Sequence, residues 1–234
     1  MNLTEVKKQI SELSNPEDAK NLSKYFKTGK GEYGEGDIFI GIRMPVLRSI
    51  AKKAIDIDAT EIISLLSSKI HEERMLALLI LMYKFQKADA ELQRKIFEIY
   101  IDNRKYINNW DLVDVCTPNV IGAYLLNKDR SILYNLAKSA SLWDKRIAII
   151  STFHFIKHNQ FDDTFKIADI LLTDKHDLIH KAVGWMLREI GKRDLKAEKK
   201  FLKTRYNNMP RTMLRYAIER FEETERQKYL KGLV

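Results

Sequence analysis

The fold is decided by three stretches of one kind: Arg74-Met75-Leu76-Ala77-Leu78-Leu79, Arg146-Ile147-Ala148-Ile149-Ile150 and Lys181-Ala182-Val183-Gly184-Trp185-Met186. Each opens with a base and continues as an apolar run along a predicted helix. The chain also shows weak self-similarity at a period of about 35 residues, which is in the range of helix-pair repeats. We therefore predict an all-α, HEAT-like solenoid, in which antiparallel helix pairs stack into a superhelix with a concave face. An irregular helical bundle is the alternative.

Apolar residues recur at helical spacing along most of the chain, and no stretch alternates as a strand would. Only four Pro and nine Gly occur, which also favours helices. We predict a single domain over residues 1–234, with N-terminal helices in 1–55 and repeats from about residue 56. The predicted helices cover 3–13, a segment beginning at Asn15-Pro16, a segment beginning at Pro45, and then 60–67, 72–87, 90–100, 110–125, 130–140, 143–157, 163–172, 176–190, 196–206 and 211–221.

Composition limits the class of protein. The net charge of +9 favours a polyanionic partner, nucleic acid first, although a merely soluble basic surface gives the same value. The single cysteine, Cys116, excludes an intramolecular disulfide framework and fits a reducing compartment. We find no secretory signal and no apolar run of the roughly 20 residues that a membrane span needs. We expect a cytoplasmic, bacterial-type protein, associated with the nucleoid through DNA and without a membrane partner.

One glycine-rich segment, from Thr28 to Asp37 inside a predicted loop over 28–44, matches a G-x-G-x-x-G pattern. A dinucleotide-binding loop follows a strand and opens a helix, whereas a helix precedes this segment. Its acidic residues Glu32, Glu35 and Asp37 would also repel a phosphate. We therefore predict a flexible connector near the working face instead of a nucleotide site.

A second stretch, Asn109-Trp110-Asp111-Leu112-Val113-Asp114-Val115-Cys116-Thr117-Pro118, departs from helix rules. Trp110 and Asp114 are four residues apart and share one helix face. Pro118 cannot donate to the carbonyl four residues back, so we predict that the helix bends or breaks there. Such departures gather at functional sites, which makes Trp110 and Asp114 candidates. Asp111, in the first turn, is predicted to be a favourable helix-dipole charge.

The second helices of a stacked array line its inner surface, so we expect their exposed residues to converge on one concave basic face. Bases can hold phosphates, indoles can stack on nucleotides or face a cation, and a carboxylate suits a centre that becomes positive. Each residue has an ordinary alternative, a core aromatic or a salt bridge between repeats, and the core interpretation is preferred for Trp143. The residues expected on this face are Trp110, Asp114, Lys145, Arg146, Trp185, Arg188, Arg211 and Arg215.

The sequence contains only weak signals for metal binding and for a reactive thiol. Two histidine pairs, His154 with His158 and His176 with His180, have helical spacing, but neither has a third ligand in the pattern. Cys116 has no histidine partner in the sequence, so a buried inert thiol is favoured over a nucleophile. We predict neither a metal nor an organic cofactor.

Three of these segments resemble a known family, the AlkD-like DNA alkylation repair proteins, which are HEAT-like-repeat alkylpurine DNA glycosylases. Lys24-Tyr25-Phe26-Lys27 and Gly41-Ile42-Arg43-Met44-Pro45 match more loosely. The closer matches are Trp110-Asp111-Leu112-Val113-Asp114, Trp143-Asp144-Lys145-Arg146-Ile147-Ala148-Ile149 and Lys181-Ala182-Val183-Gly184-Trp185-Met186-Leu187-Arg188-Glu189. The loop from Gly29 to Asp37 is longer than in that family, so the chain departs from the family's pattern on its N-terminal side.

The resemblance implies a DNA glycosylase of base excision repair that hydrolyses the N-glycosidic bond of N3- and N7-alkylated purines in duplex DNA. It implies catalytic roles for Asp114, Trp110 and Trp185, and recognition without a base-flipping pocket. The residues expected to contact DNA are Arg146, Tyr25, Lys145, Lys181, Arg188 and Arg211. We expect a monomer. The alternatives are a non-catalytic protein that binds distorted or branched DNA and a protein-binding adaptor, since fold alone does not establish activity.

Overall fold

A computed structural model describes all residues from 1 to 234 and is all-helical, with the successive packed helices of a helical-repeat solenoid, as predicted. Three-residue 3₁₀ turns at Arg104–Tyr106, Tyr206–Asn208 and Ile218–Arg220 join some of the helices. The α-helices are α1 (Leu3–Glu12), α2 (Pro16–Tyr25), α3 (Met44–Lys53), α4 (Ala59–Leu66), α5 (His71–Lys87), α6 (Ala90–Asp102), α7 (Trp110–Thr117), α8 (Ala123–Leu125), α9 (Ser131–Ala137), α10 (Leu142–Lys157), α11 (Asp162–Leu171), α12 (Asp177–Gly191), α13 (Leu195–Lys203), α14 (Arg211–Ala217) and α15 (Glu223–Lys231).

The chain divides into two compact units, Met1–Cys116 and Thr117–Val234. Each unit has its own core, and the single domain expected from the sequence stays a prediction. None of the helices combines the length and the apolar character that a bilayer span requires.

The first unit is built around α5. Every residue from His71 to Met82 is buried, including the charged residues of its first turn, so this helix is covered on all sides. It packs against α3, α4 and α6. The helix before them, α2, begins as predicted, with the Asn15 side chain accepting from the backbone N–H groups of Glu17 and Asp18 and with Pro16 in the first turn.

The second unit is built around α10 and α12, which pack against each other. Both helices carry the repeated apolar stretches of the sequence, and Arg146–Thr152 is buried throughout. Helix α9 packs against α10, α11 contacts both central helices, and α13 and α14 pack on α12. The three stretches that predicted a repeat therefore lie on the central helices of their units.

Pro118 does disturb the helix that carries the tryptophan and the carboxylate. Helix α7 ends at Thr117, and a π-helical turn follows over Pro118–Gly122 before α8 begins. The wider turn accommodates a residue that has no N–H to donate. Gly122 is needed within this turn, because a Cβ there would lie 2.4 Å from the carbonyl oxygen of Ser151 on α10.

Two features of the fold differ from the predictions. Helix α15 was missed, because its apolar residues show little helical periodicity, although Gly232 follows its end as a typical stop signal. The glycine-rich segment, for which we predict a flexible connector, contains a series of hydrogen-bonded turns. Its backbone N–H groups at Gly29 and Gly31 donate to the carboxylates of Glu32 and Glu35, at 2.9 and 2.8 Å, so these acidic side chains stabilise the segment itself.

Candidate functional site

The first unit presents an aromatic platform at the start of α7. Trp110 is half-buried and stacks on Phe26, with ring centroids 5.2 Å apart and an angle of 22° between the planes. Tyr25 meets the indole edge-on at 6.0 Å and is 65% exposed. The indole nitrogen is hydrogen-bonded to the side chain of Tyr33. One face of the tryptophan is therefore supported by protein, and the aromatic surface extends outward through Tyr25.

Asp114 lies one helical turn after Trp110 on α7, on the same face, and is partly exposed. Apolar neighbours Leu112 and Val113 are completely buried and fix the orientation of the helix. The first unit thus brings together three of the predicted site residues, Tyr25, Trp110 and Asp114.

Asp111 lies in the first turn of α7, where a helix-dipole charge was predicted, and it also belongs to a largely buried ionic network. His71 lies between two carboxylates, with its Nε2 2.9 Å from Asp111 Oδ2 and its Nδ1 3.1 Å from Asp37 Oδ2. Arg74 adds a salt bridge of 2.6 Å to the other oxygen of Asp37. Ionised carboxylates only accept hydrogen bonds, so both ring nitrogens of His71 donate and the ring is an imidazolium.

The pKa values in this network follow from the contacts. Burial opposes the charged form of His71, but hydrogen bonds to Asp111 and Asp37 outweigh burial and raise the pKa of the imidazole above 6.5. Burial also opposes ionisation of Asp37, yet His71 and Arg74 hold the pKa of this carboxyl below 3.8. These contacts favour the charged forms of His71 and Asp37, and they tie the first turn of α7 to α5.

The segment before α3 is fixed by a second buried carboxylate. Glu72 accepts from the backbone N–H groups of Ile40, Gly41 and Ile42, with its shortest bond, 2.8 Å, to Gly41. Gly41 has a φ of +85°, and a Cβ there would lie 2.1 Å from the carbonyl oxygen of Asn15. Only glycine allows this approach to the start of α2. The chain on both sides of α2 is consequently held in place.

A cavity of about 570 Å³ opens between α2 and α3, and we call it the α2–α3 cavity. Its walls are mainly apolar and aromatic, and Phe39, stacked on His71 with ring centroids 4.4 Å apart, forms part of them. An exposed ion pair between Arg43 and Asp18, with a shortest distance of 2.8 Å, lies among its lining side chains. Asp111 also lines the cavity, so it adjoins the first turn of α7.

In the second unit, Trp185 lies on α12 and is half-buried. Its indole nitrogen donates to Glu189 Oε1 at 3.1 Å, and its ring packs at an inclined angle against Phe153, 5.7 Å between centroids. Lys192 forms a salt bridge of 2.5 Å with the same carboxylate oxygen. The indole is thus oriented from its edge by a carboxylate whose charge is balanced by a neighbouring base.

Arg146 differs from the expectation of an exposed base on a concave face. It is 4% exposed, and its guanidinium donates to the carbonyl oxygen of Leu178 at 2.5 Å. The arginine therefore joins α10 to the first turn of α12. Lys145, the preceding residue, is half-buried and forms a 2.7 Å salt bridge with Asp174. Burial alone would raise the pKa of the Asp174 carboxyl, but the hydrogen bond from Lys145 outweighs it and holds this pKa below 3.8.

The other predicted bases also have protein partners, and Lys181 and Arg211 are more accessible than Lys145 and Arg146, whereas Arg188 is half-buried. Lys181 forms a 2.7 Å salt bridge with Asp177 one turn earlier, and Arg188 pairs with Glu219. Arg211 is exposed and donates to the carbonyl oxygen of Leu230 at 2.9 Å. Pairs of this kind at a surface are weak, so a phosphate can replace the protein partner at low cost.

The remaining candidates have structural roles. Cys116 is completely buried, and this burial raises the pKa of its thiol. The rings of His154 and His158 lie 4.8 Å apart, and burial together with the nearby cations lowers the pKa of His154 to about 4. His176 caps α12 by accepting from the N–H of Leu178. In residues 1–234 no three His, Cys, Asp or Glu side chains are grouped to hold a metal.

The sequence analysis missed the buried network and the cavity. A usable signal was present in His71-Glu72-Glu73-Arg74, four charged or polar residues at the start of a helix that is otherwise apolar all round. Such a run at the head of a buried helix predicts a buried ionic cluster, because isolated buried charges are costly. Its partners Asp37 and Asp111 are 34 and 40 residues away, which no local pattern shows.

Comparison with known proteins places the chain in a class. A family model described as DNA alkylation repair enzyme matches residues 6–221, so the chain belongs to this family. Among solved structures it is similar to a protein described as a predicted DNA alkylation repair enzyme from Enterococcus faecalis, with a TM-score of 0.70 and 18% identity. That match covers 90% of this chain and 97% of the other, and at this identity it supports the fold. No curated protein matches the chain.

Proposed function

We propose that this member of the DNA alkylation repair family is a DNA glycosylase that removes positively charged N3- and N7-alkylated purines, such as 3-methyladenine and 7-methylguanine, from duplex DNA. The observation that carries the proposal is the arrangement on α7, where a supported indole, Trp110, and a partly exposed carboxylate, Asp114, share one helix face. The family match and the net charge of +9 support DNA as the substrate.

An alkylated purine already carries a formal positive charge, so its glycosidic bond is weak. When the bond between C1′ and the base nitrogen breaks, the base takes the electron pair and becomes neutral, and positive charge develops on the deoxyribose. Asp114 stabilises that charge electrostatically and orients a water molecule. The water oxygen then bonds to C1′ and releases its proton to solvent. Because the leaving group is already activated, this chemistry does not require a pocket that encloses the base.

The two tryptophans hold the damaged nucleotide in this proposal. Trp110 in the first unit and Trp185 in the second offer indole faces for stacking and for cation–π contacts, each worth about 1–2 kcal/mol. Both indoles are oriented through their edges, Trp110 by Tyr33 and Trp185 by Glu189. An oriented indole loses little conformational freedom when it binds, which favours affinity.

Phosphate contacts come from the bases in this proposal. Tyr25 extends the aromatic platform beside the DNA. Arg146 orients the start of α12, and the small exposed part of its guanidinium contacts a phosphate. Lys145, Lys181 and Arg188 exchange their carboxylate partners for phosphates, and Arg211 exchanges the carbonyl oxygen of Leu230 for one.

The first experiment is release of 3-methyladenine and 7-methylguanine from methylated duplex DNA by the wild type and by Asp114→Asn. We expect the wild type to release both bases and the variant to lose activity by a factor on the order of 10²–10³, because one electrostatic stabiliser of the transition state is removed. Binding of the duplex is expected to stay nearly unchanged. Asp102→Asn, an exposed carboxylate of the same unit, is the matched control.

The possible outcomes distinguish the alternatives. Release that Asp114→Asn loses and Asp102→Asn keeps supports the glycosylase and the role of Asp114. Equal activity in all three proteins would remove Asp114 from the mechanism. If no base is released but the duplex is bound in a salt-dependent way, the protein is a non-catalytic binder of damaged or distorted DNA. Absence of salt-dependent binding would instead support a protein-binding adaptor.

A further inference from the structure

We propose that the glycine-rich segment contacts the DNA backbone beside Trp110, with Lys27, directly before the segment, and Lys30, within it, as the residues that bind phosphates. This inference rests on the proposed function for DNA as the ligand. It assigns a DNA contact to the part of the chain that departs from the family's pattern, where the sequence alone indicates that Glu32 and Glu35 repel phosphate.

The two exposed carboxylates of the segment are held against its own backbone. Glu32 accepts from the N–H of Gly29 at 2.9 Å, and Glu35 accepts from the N–H of Gly31 at 2.8 Å. Gly29 leaves room for the first contact, because a Cβ there would lie 2.8 Å from Glu32 Oε2. Each negative charge therefore faces a backbone N–H dipole, which weakens its repulsion of a phosphate.

The lysines beside these carboxylates have no protein partner. Lys24, Lys27 and Lys30 are exposed, and none of their ammonium groups forms a salt bridge or a hydrogen bond. Each of the bases to which the proposed function gives a phosphate already has a protein partner. A phosphate that binds an unpaired lysine breaks no protein contact, so the whole electrostatic gain of counterion release is available for binding.

Lys27 has a backbone conformation that a lysine rarely adopts. It follows the C-cap of α2, where many helices have a glycine, and its φ of +54° lies in the left-handed region that favours glycine. Its carbonyl oxygen accepts from the N–H of Gly34 at 3.1 Å, so the turn is part of the structure of the segment. Glycine would adopt this geometry without steric cost. A lysine at such a position indicates a use for the side chain other than stability.

The segment is anchored to the aromatic platform. The side chain of Tyr33 is hydrogen-bonded to the indole nitrogen of Trp110. Gly34 packs on the backbone of Phe26, since a Cβ there would lie 2.4 Å from the carbonyl oxygen of Phe26. Lys27 directly follows Phe26, whose ring supports the indole. A nucleotide that stacks on Trp110 therefore brings its flanking phosphates to the side of the platform that the segment occupies.

Variants at Lys27 separate the charge of the side chain from its role in the fold, with an undamaged duplex as the probe. Lys27→Met removes the charge, Lys27→Arg keeps it, and Lys27→Gly removes the charge together with the strain. We expect the slope of log K against log salt to decrease by about 0.9 in Lys27→Met and Lys27→Gly and to stay unchanged in Lys27→Arg. We expect Lys27→Gly to have a melting temperature equal to or above that of the wild type.

The second lysine and a control locate the contact. Lys30→Ala is expected to lower the slope by the same amount, whereas Lys87→Ala, at an exposed and unpaired lysine at the end of α5, should leave it unchanged. Lysine acetylation, read by mass spectrometry, tests the wild type directly. We expect the duplex to protect Lys27 and Lys30 from acetylation and to leave Lys87 reactive. If Lys27→Met and Lys87→Ala lower the slope equally, the effect is that of net charge and the proposal is wrong.

These measurements do not depend on excision. If bases are released but the slope and the acetylation of Lys27 and Lys30 do not change, the segment is not a DNA contact and the proposed function stands. If both lysines are protected and the slope decreases without base release, the segment binds DNA in a protein that is not a glycosylase. A melting temperature of Lys27→Gly below that of the wild type would show that this lysine serves the fold, which contradicts the proposal.

Discussion

The two units hold their buried charges in opposite ways. In the first unit, His71, Arg74, Asp37 and Asp111 form a network in which each charge faces an opposite one. In the second unit, Glu198 is 1% exposed, its Oε1 has no hydrogen-bond partner, and burial raises the pKa of its carboxyl to about 8 although Arg188 and Lys199 act against the shift. Both units bury paired ions, but the second unit also buries, in Glu198, an acid without such a partner, whose raised pKa favours the protonated form at neutral pH.

The buried charges of the two units also have different roles: those of the first unit position the proposed site, whereas Glu198 only lowers stability. The paired network holds the first turn of α7 in place, and this helix carries the candidate residues Trp110 and Asp114. The network therefore positions the proposed site. The lone Glu198 lies against α12, where a Cβ on Gly191 would meet its carboxylate, and it serves packing. The following predictions test this contrast, beginning with the largest expected effect.

Replacing His71 is expected to cause the largest change. His71→Gln leaves two buried carboxylates without their shared cation, and breaking a buried ion pair in this way costs about 3–5 kcal/mol of the free energy of unfolding. Because the pKa of folded His71 is raised, its stabilisation is complete below about pH 6.5 and is lost as pH rises through the raised pKa. Urea unfolding of both proteins between pH 6 and pH 10 measures this. His158→Gln, an exposed histidine, is the control, and an equal loss in both variants would contradict the network's role.

Replacing Glu198 is expected to raise the free energy of unfolding, whereas replacing His71 lowers it. The pKa of its carboxyl is about 8 in the folded protein against 4.5 when unfolded, so stability falls as pH rises from about 4.5 through 8. Glu198→Gln removes the ionisation and should stabilise the protein by about 2 kcal/mol or more at pH 9 and by little at pH 5. Thermal unfolding at the two pH values, beside exposed Glu222→Gln, tests this. Destabilisation at pH 9 would show that the ionised carboxylate has a partner.

The tryptophans test whether both units contact the damaged nucleotide. Trp110→Ala and Trp185→Ala are each expected to lower kcat/KM for excision by about 5–30-fold, the equivalent of one cation–π contact of 1–2 kcal/mol. Trp143→Phe, at a residue assigned to packing, should change activity little. Loss of activity in Trp110→Ala alone would confine the contact with the lesion to the first unit.

The smallest effect expected is on the salt dependence of binding. Arg211→Ala removes an exposed base, and we expect the slope of log K against log salt to decrease by about 0.9, the contribution of one phosphate. We expect the same change for Arg146→Ala. Lys166→Ala, an exposed lysine on α11, is the control. If Arg146→Ala lowers stability but leaves the slope unchanged, the bond from Arg146 to Leu178 is its whole contribution and Arg146 is not a phosphate contact.

The helical spacing of apolar residues and the signals that start or interrupt helices were enough to predict most of the fold from the sequence. The helices were found because apolar residues at helical spacing must be covered, and the Asn15-Pro16 start and the disturbance at Pro118 follow from local backbone chemistry. Helix α15 was missed because its residues, mostly charged, show almost no amphipathic pattern, and only the context of the fold makes it helical.

The candidate site was predicted less completely, for a physical reason. Trp110 and Asp114 could be placed together because one helix turn separates them. The partners of His71 could not, since Asp37 and Asp111 approach it only after the chain has folded. The burial of Arg146 likewise depends on the carbonyl group of Leu178, 32 residues later. Local sequence shows which residues can act, whereas tertiary contacts decide which of them are accessible.

Cys116 has a consequence for the kind of repair that this family member can perform. Damage can be reversed directly if a protein thiolate accepts the alkyl group from DNA, but that reaction needs an ionised, accessible sulfur. Here the only cysteine of the chain is completely buried, and its raised pKa keeps the sulfur protonated. The Cys116 thiol is therefore not placed to accept an alkyl group from DNA, and its burial shields it from the same methylating agents that damage DNA.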